Sequence, residues 1–104
     1  MVKHIVMFDF KDKNKSENIK KAKEMLEELI DSVPSLKSME VGVNFSKEER
    51  AMDLSIITSF DDIQGLEEYA IDPEHVKVVK FIKEVASSSK VSDYILIDTY
   101  QSPK

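Results

Sequence analysis

The sequence predicts an α+β domain in which helices cover one face of a four-stranded antiparallel sheet. Three observations lead to this prediction. Short segments alternate apolar and polar residues with the two-residue period of a strand. Longer segments rich in lysine and glutamate repeat apolar residues every three or four positions, as a helix on a core does. Finally, the elements follow one another in the order β-α-β-β-α(α)-β, which is the ferredoxin-like plan.

Composition restricts the chain to one globular domain, residues 1–104. Its 104 residues include two glycines, three prolines and no low-complexity tract, so we find no linker. The net charge of −5 argues against binding to nucleic acid or to an anionic membrane. No apolar run approaches the roughly 18–20 residues of a membrane span, and Met1 leads directly into a strand-like segment. We therefore expect a cytoplasmic protein without a membrane span or signal peptide.

The first two elements are a strand and a long helix. Val2–Phe10 is rich in β-branched and aromatic residues, and its even positions form an almost wholly apolar face. Ser16–Val33 carries one apolar stripe, which predicts an amphipathic helix. Its N-cap is expected at Ser16 or Asn14, and Pro34 should end it because proline disfavours helical geometry in the preceding residue.

The middle of the chain predicts an antiparallel hairpin. Leu36–Phe45 and Met52–Phe60 both alternate, and a short charged loop joins them. We expect Phe45 to point inward with the apolar side chains at 39, 41 and 43.

Two helices and a last strand are predicted next. Asp61–Ala70 is expected to be a short helix with Asp61 as its N-cap. A second helix should begin at Asp72 and Pro73, an N-cap acid followed by proline, and should run to about Ser88. The last strand is expected over Ser92–Tyr100.

One face of the predicted sheet lacks a cover. Helices on one side leave Ile5, Met7 and Ile57 on the other, and these side chains are apolar. A second copy of the chain would bury them, so we expect a homodimer formed by sheet-to-sheet packing.

Three side chains are candidates for chemistry. His75 lies near the start of a helix and on its apolar stripe, where burial and the positive helix end both favour a neutral imidazole that can act as a base. His4 lies on the helix-facing side of the first strand, and Tyr69 lies on the inner side of the preceding helix. Together they could bind and deprotonate a carbonyl compound, or they could be a buried polar cluster whose members satisfy one another.

No metal or cofactor is expected. The chain has no cysteine, and its two histidines are far apart in sequence. It contains no phosphate-binding glycine loop and no dinucleotide fingerprint.

Four segments resemble the stress-responsive α/β-barrel (Dabb) domain family. They are VKHIVMFDFK, MEVGVNFSKEERAMDLSIITSFDD, LEEYAIDPEHVKVVKFI and VSDYILID. The most specific is the run from Tyr69 to His75, where the family has a tyrosine, a short spacer and a His-or-Asp-Pro-x-His motif. The resemblance implies a ferredoxin-like subunit and a dimeric α/β barrel.

The resemblance also implies candidate site residues. In an enzymatic branch of the family, olivetolic acid cyclase, a histidine acts as base and a tyrosine positions the substrate between sheet and helices. By motif position these catalytic roles would fall on His75 and Tyr69, with His4 lining the same pocket. Val79 and Leu54 are further candidates for the pocket lining. The cyclase has a further histidine on the strand matching Met52–Phe60, and here Leu54 takes that place.

Two functions follow from these observations. The first is a homodimer that binds a small apolar or carbonyl compound or has a stress-associated role without catalysis. The alternative is a cofactor-free lyase of the polyketide-cyclase kind, in which His75 is the general base and Tyr69 positions a carbonyl substrate.

Overall fold

The computed structural model describes residues 1–97, and its elements follow the predicted order. They are β1 (Val2–Phe10), α1 (Lys15–Ser32), β2 (Ser38–Val43), β3 (Leu54–Phe60), α2 (Ile63–Ile71), α3 (Pro73–Val85) and β4 (Ala86–Ile95). The sheet has the strand order β2-β3-β1-β4, and every neighbouring pair is antiparallel. The predicted ferredoxin-like subunit and the β2–β3 hairpin are therefore confirmed. None of the helices in this part of the chain is long and apolar enough to cross a membrane.

The cross-strand register decides which side chains face the helices. His4 of β1 is opposite Thr58 of β3 and Asp93 of β4, so these three residues share one face of the sheet. The residues of β3 on this face are at most 2% exposed, and they form the centre of the core. The other face carries Ile5 and Ile57 with no helix over them. Helices thus cover one face of the sheet, as the sequence predicts.

Helix α1 begins one residue earlier than predicted and uses Asn14 as its N-cap. Asn14 has a left-handed backbone conformation, with φ of 53°, which asparagine tolerates better than most residues. Its side chain makes no capping hydrogen bond. Val33 follows the helix in an extended conformation, because Pro34 excludes helical geometry there.

The inward placement of Phe45 was wrong. Strand β2 ends at Val43, and Asn44 begins a turn in which its side-chain oxygen accepts a hydrogen bond from the Ser46 backbone at 3.0 Å. The side chain of Phe45 is consequently 96% exposed. Alternation in the sequence continued through residue 45, but the turn-forming side chain of Asn44 ends the strand first.

The cap of α2 also differs from the prediction. Asp62, not Asp61, caps the helix, since its Oδ1 accepts a hydrogen bond from the Gly65 backbone at 2.8 Å. Adjacent aspartates give the same local signal, so the sequence pattern could not choose between them. Asp61 instead lies beside the ammonium of Lys37 at 3.6 Å.

The boundary between α3 and β4 lies earlier than predicted. The helix ends at Val85, and the serines at 87–89 belong to β4, where Ser88 and Ser89 pair with β1 and Ser87 lies at a shift in register. Serine has no strong local preference for a strand, so tertiary pairing determines this segment. The predicted strand Ser92–Tyr100 overlaps β4 at 92–95, and its residues 98–100 lie outside the described part of the chain.

Candidate functional site

The start of α3 fixes the position of His75. The carboxylate of Asp72 accepts a hydrogen bond from the Glu74 backbone at 2.9 Å, and Pro73 occupies the first helical position. His75 is therefore the third residue of the helix, and its side chain turns back toward the end of α2. Its ring lies over the ring of Tyr69, with 4.0 Å between ring centroids and 35° between planes.

Tyr69 is the buried centre of an aromatic cluster. Its side chain is 2% exposed, and its ring centroid lies 5.1 Å from that of Phe60 and 6.3 Å from that of His4. Burial raises the pKa of the Tyr69 phenol well above its ordinary value, because the phenolate would lose hydration. The phenol therefore keeps its proton at neutral pH and acts as a hydrogen-bond donor, not as a base.

Tyr69 lines a cavity, and its hydroxyl is not used in the hydrogen bonds of the cluster. The hydrogen bonds of its cluster join His4 to Asp93, Thr58 to the His4 carbonyl and His75 to Ala70, and the phenol takes part in none of them. Within residues 1–97, the sole fully buried side-chain polar atom without a partner is Oγ of Ser35. The Tyr69 hydroxyl therefore has no hydrogen-bond partner among these cluster residues that a ligand would have to displace.

His75 is held as a neutral imidazole. Burial lowers the pKa of this side chain, and a weaker contribution from the nearby His4 acts in the same direction. The Ala70 carbonyl and the Asp72 carboxylate partly oppose this change in pKa. Because a carbonyl only accepts hydrogen bonds, the long contact of 3.4 Å between Nδ1 and the Ala70 oxygen favours the tautomer with its proton on Nδ1. Nε2 is then left with the lone pair that a base requires.

His4 is oriented by a residue that sequence reasoning missed. Its Nδ1 hydrogen bonds with the carboxylate of Asp93, which lies directly opposite on β4. The hydroxyl of Thr58 donates to the His4 carbonyl at 3.1 Å, which fixes the strand backbone. A sequence signal for Asp93 did exist, since it is a single carboxylate between Val91 and Ile95 on the helix-facing side of β4.

These residues line a cavity between α3 and the sheet. Its volume is about 220 Å³. The lining residues are His4, Val6, Phe8, Leu26, Ile56, Tyr69, His75, Val78, Val79, Ile82, Lys83 and Ser89. Lys83 and Ser89 are exposed, so the cavity opens to solvent between α3 and β4. Its polar groups are few and its walls are mostly apolar, as in small-molecule sites.

The structure brings together four of the five predicted site residues. His4, Tyr69, His75 and Val79 all line the cavity, but Leu54 does not. Leu54 is completely buried, paired with Phe8 and Val43 in the register of the sheet, and has no surface left for a ligand. Ile56, two residues further along the same face of β3, takes the place predicted for Leu54.

The size of the cavity restricts its ligands. It is larger than the roughly 150 Å³ apolar cavity that binds benzene in an engineered protein, and it lies below the roughly 300 Å³ of typical drug-sized sites. Residues 1–97 contain no group of three or more His, Cys, Asp or Glu side chains able to hold a metal ion. The arrangement can hold a small organic molecule, donate a hydrogen bond from Tyr69 and accept a proton at His75.

The fold and the site define a ferredoxin-like domain with a small cavity between its helices and sheet. Residues 2–96 match the family model of the stress responsive A/B barrel domain, and the chain belongs to this family.

Solved structures of related proteins have the same fold. A dimeric protein of unknown function from Bacteroides fragilis is 30% identical, with a TM-score of 0.82 over 89% of this chain and 93% of its own. A protein from Arabidopsis thaliana is 21% identical, with a TM-score of 0.84 over 97% of this chain and all of its own. A hydroxynitrile lyase from Passiflora edulis is 19% identical, with a TM-score of 0.83 over 96% of each chain. The comparison with curated proteins found no match.

Proposed function

We propose that this protein is a homodimer that binds a small apolar or carbonyl compound in the cavity between α3 and the sheet. The observation that carries the proposal is the unfilled space beside His75. Protein interiors are normally packed to the density of organic crystals, so an apolar cavity of about 220 Å³ that opens to solvent is available for a ligand. Tyr69 and His75 offer one hydrogen-bond donor and one acceptor on its wall.

The homodimer rests on the uncovered face of the sheet. Met7 is 37% exposed and Tyr94 is 42% exposed on this face, next to Ile5 and Ile57. Packing against a second copy would remove this apolar surface from water. Related structures from Bacteroides fragilis and Thermobifida fusca are described as dimeric, which supports the same assembly for this chain.

Ligand binding is tested by thermal unfolding in the presence of small β-keto compounds and thioesters. The wild-type protein is expected to gain thermal stability with at least one of them, and His75→Ala should lose that gain. Val76→Ala is the matched control, because Val76 is the next residue of α3, is exposed and does not line the cavity. If no compound shifts the unfolding temperature of the wild-type protein, the binding function is wrong.

A second candidate is acid–base catalysis without a cofactor. The lowered pKa of His75 and the free Nε2 favour it, because a neutral imidazole can remove a proton from a carbon next to a carbonyl group. Tyr69 would donate a hydrogen bond to the carbonyl oxygen as negative charge develops there. The structural similarity to a hydroxynitrile lyase adds cyanohydrins to the substrates worth testing.

Catalysis is tested by comparing His75→Gln and Tyr69→Phe with the wild-type protein. Removal of a general base lowers the rate by about 10²–10⁴-fold. His75→Gln should show a loss of this size, whereas Tyr69→Phe should mainly weaken stabilisation of the developing charge. Turnover that is unchanged in His75→Gln would exclude His75 as the base.

A further inference from the structure

The mouth of the cavity is formed by two polar side chains. Lys83 lies in the last turn of α3, Ser89 lies on β4, and both are exposed residues of the cavity lining. An ammonium group only donates hydrogen bonds, and a serine hydroxyl can donate one as well. The mouth therefore presents donors to any group that lies across it.

Among residues 1–97, no carboxylate forms an ion pair with Lys83. The ion pairs found within residues 1–97 involve His4, Lys15, Lys23, Lys37, Arg50 and Lys77, but not Lys83. The cavity lining itself contains no aspartate or glutamate. A positive charge thus remains at the opening, where it favours an anionic group over a neutral one.

The two polar parts of the cavity lie at opposite ends of α3. Lys83 lies eight positions after His75, which corresponds to about 12 Å along a helix axis. Val78, Val79 and Ile82 lie between them and line the cavity. The space is therefore apolar in its middle, has a positive charge at its mouth, and has an imidazole and a phenol at its inner end.

We propose that the ligand is a small monocarboxylic acid whose carboxylate lies between Lys83 and Ser89. Its apolar body would contact the valines of α3, and any carbonyl or hydroxyl group would face His75 and Tyr69. This inference rests on the proposed binding function. Scaled from the benzene-binding cavity of about 150 Å³, a volume of about 220 Å³ accommodates about nine non-hydrogen atoms.

The proposal predicts that an acid binds more tightly than its amide. Hexanoate and cyclohexanecarboxylate are ionised at pH 7, and their amides have nearly the same shape without the charge. Since an ion pair at a solvent-accessible mouth contributes modestly, we expect about three- to tenfold tighter binding of each acid. Added salt should reduce this ratio, because the Lys83 charge is screened.

The experiment measures dissociation constants by NMR titration of the cavity valine methyl groups. The wild-type protein is compared with Lys83→Met and with Lys80→Met, in which an exposed lysine of the same helix that does not line the cavity is changed. Lys83→Met should remove the preference for the acids while leaving the affinity for the amides unchanged. Lys80→Met and Lys83→Arg should keep the preference.

The outcomes separate this inference from the proposed function. If the amides bind as tightly as the acids, or if Lys83→Met retains the preference, the carboxylate inference is wrong although binding stands. If neither acids nor amides shift the methyl resonances of the cavity, the carboxylate inference is wrong, and the thermal-unfolding screen with β-keto compounds and thioesters decides the binding function separately.

Discussion

Strands β3 and β4 belong to the same sheet but differ completely in burial. The helix-facing residues of β3, from Leu54 to Phe60, are at most 2% exposed, whereas every described residue of β4 after Ala86 is exposed. Between them, the central residues of β1 are half-buried, and the cavity lies over this strand. The helix layer thus covers the sheet unevenly. The candidate site occupies the boundary between the filled core and the open edge strand.

This difference has a chemical consequence. On the filled, helix-facing side of β3, the polar side chain of Thr58 is buried among apolar residues. At the boundary, His4 is held by a carboxylate from β4, while His75 is partly desolvated by the helices. At the boundary, polar side chains therefore lie where access of solvent is restricted. The core and the edge strand each provide only one of these two conditions.

The largest expected effect contrasts a core residue with an edge residue. Leu54→Ala should lower the free energy of unfolding by about 2–5 kcal/mol, because it leaves a void in packed surroundings. Val91→Ala on β4 should change it by less than about 0.5 kcal/mol, because this side chain is 64% exposed. Urea denaturation measures both values, and equal losses would contradict the contrast between the two strands.

The second prediction concerns the two faces of the sheet. Ile5→Lys places a charge on the uncovered face and should raise the dissociation constant of the proposed homodimer at least about tenfold, because the lysine would be desolvated in the proposed interface. Val91→Lys, on the helix-facing side of β4, should leave the dimer intact. Analytical ultracentrifugation measures both constants. A dimer unaffected by Ile5→Lys would place the interface elsewhere.

A smaller effect is expected at the start of α2, which carries Tyr69. Asp62→Ala removes the N-cap hydrogen bond to Gly65 and should cost about 1 kcal/mol of unfolding free energy. Asp61→Ala removes only an exposed contact with Lys37 and should cost less than about 0.5 kcal/mol. Thermal unfolding of the two variants ranks the adjacent aspartates, and the reverse order would contradict the assigned cap.

The smallest effect is the pH dependence caused by His75. Burial lowers the pKa of His75 in the folded protein below its ordinary value of about 6.5. At a pH between these two pKa values, the unfolded chain binds more protons than the folded protein does. The contribution of His75 to stability is therefore fully present above about pH 6.5 and is lost as the pH falls toward the folded-state pKa. The unfolding temperature should decrease over this range, and His75→Gln should decrease less. Identical profiles would mean that His75 is as hydrated as in the unfolded chain.

The fold could be predicted because the periodic apolar patterns and the helix-capping residues indicate the same helices and strands. Asp72 and Pro73 fixed the start of α3, and therefore the place of His75, from local residues alone. The contact between His4 and Asp93 depended on a register between β1 and β4 that no local signal determines. The same limit explains why Leu54 was wrongly expected to line the cavity. The alternating pattern of a single strand predicts which face a residue is on, but it does not predict whether a cavity or another side chain lies over that residue.

The central claim is that the space beside His75 is an unfilled binding cavity, and the variant Val79→Phe tests it most directly. A larger side chain at this half-buried position would occupy the cavity instead of displacing its neighbours. We predict an unfolding free energy that equals or exceeds that of the wild-type protein, together with loss of ligand binding. In a filled core the same substitution would cost about 1–3 kcal/mol through overpacking, and a loss of that size would contradict the claim.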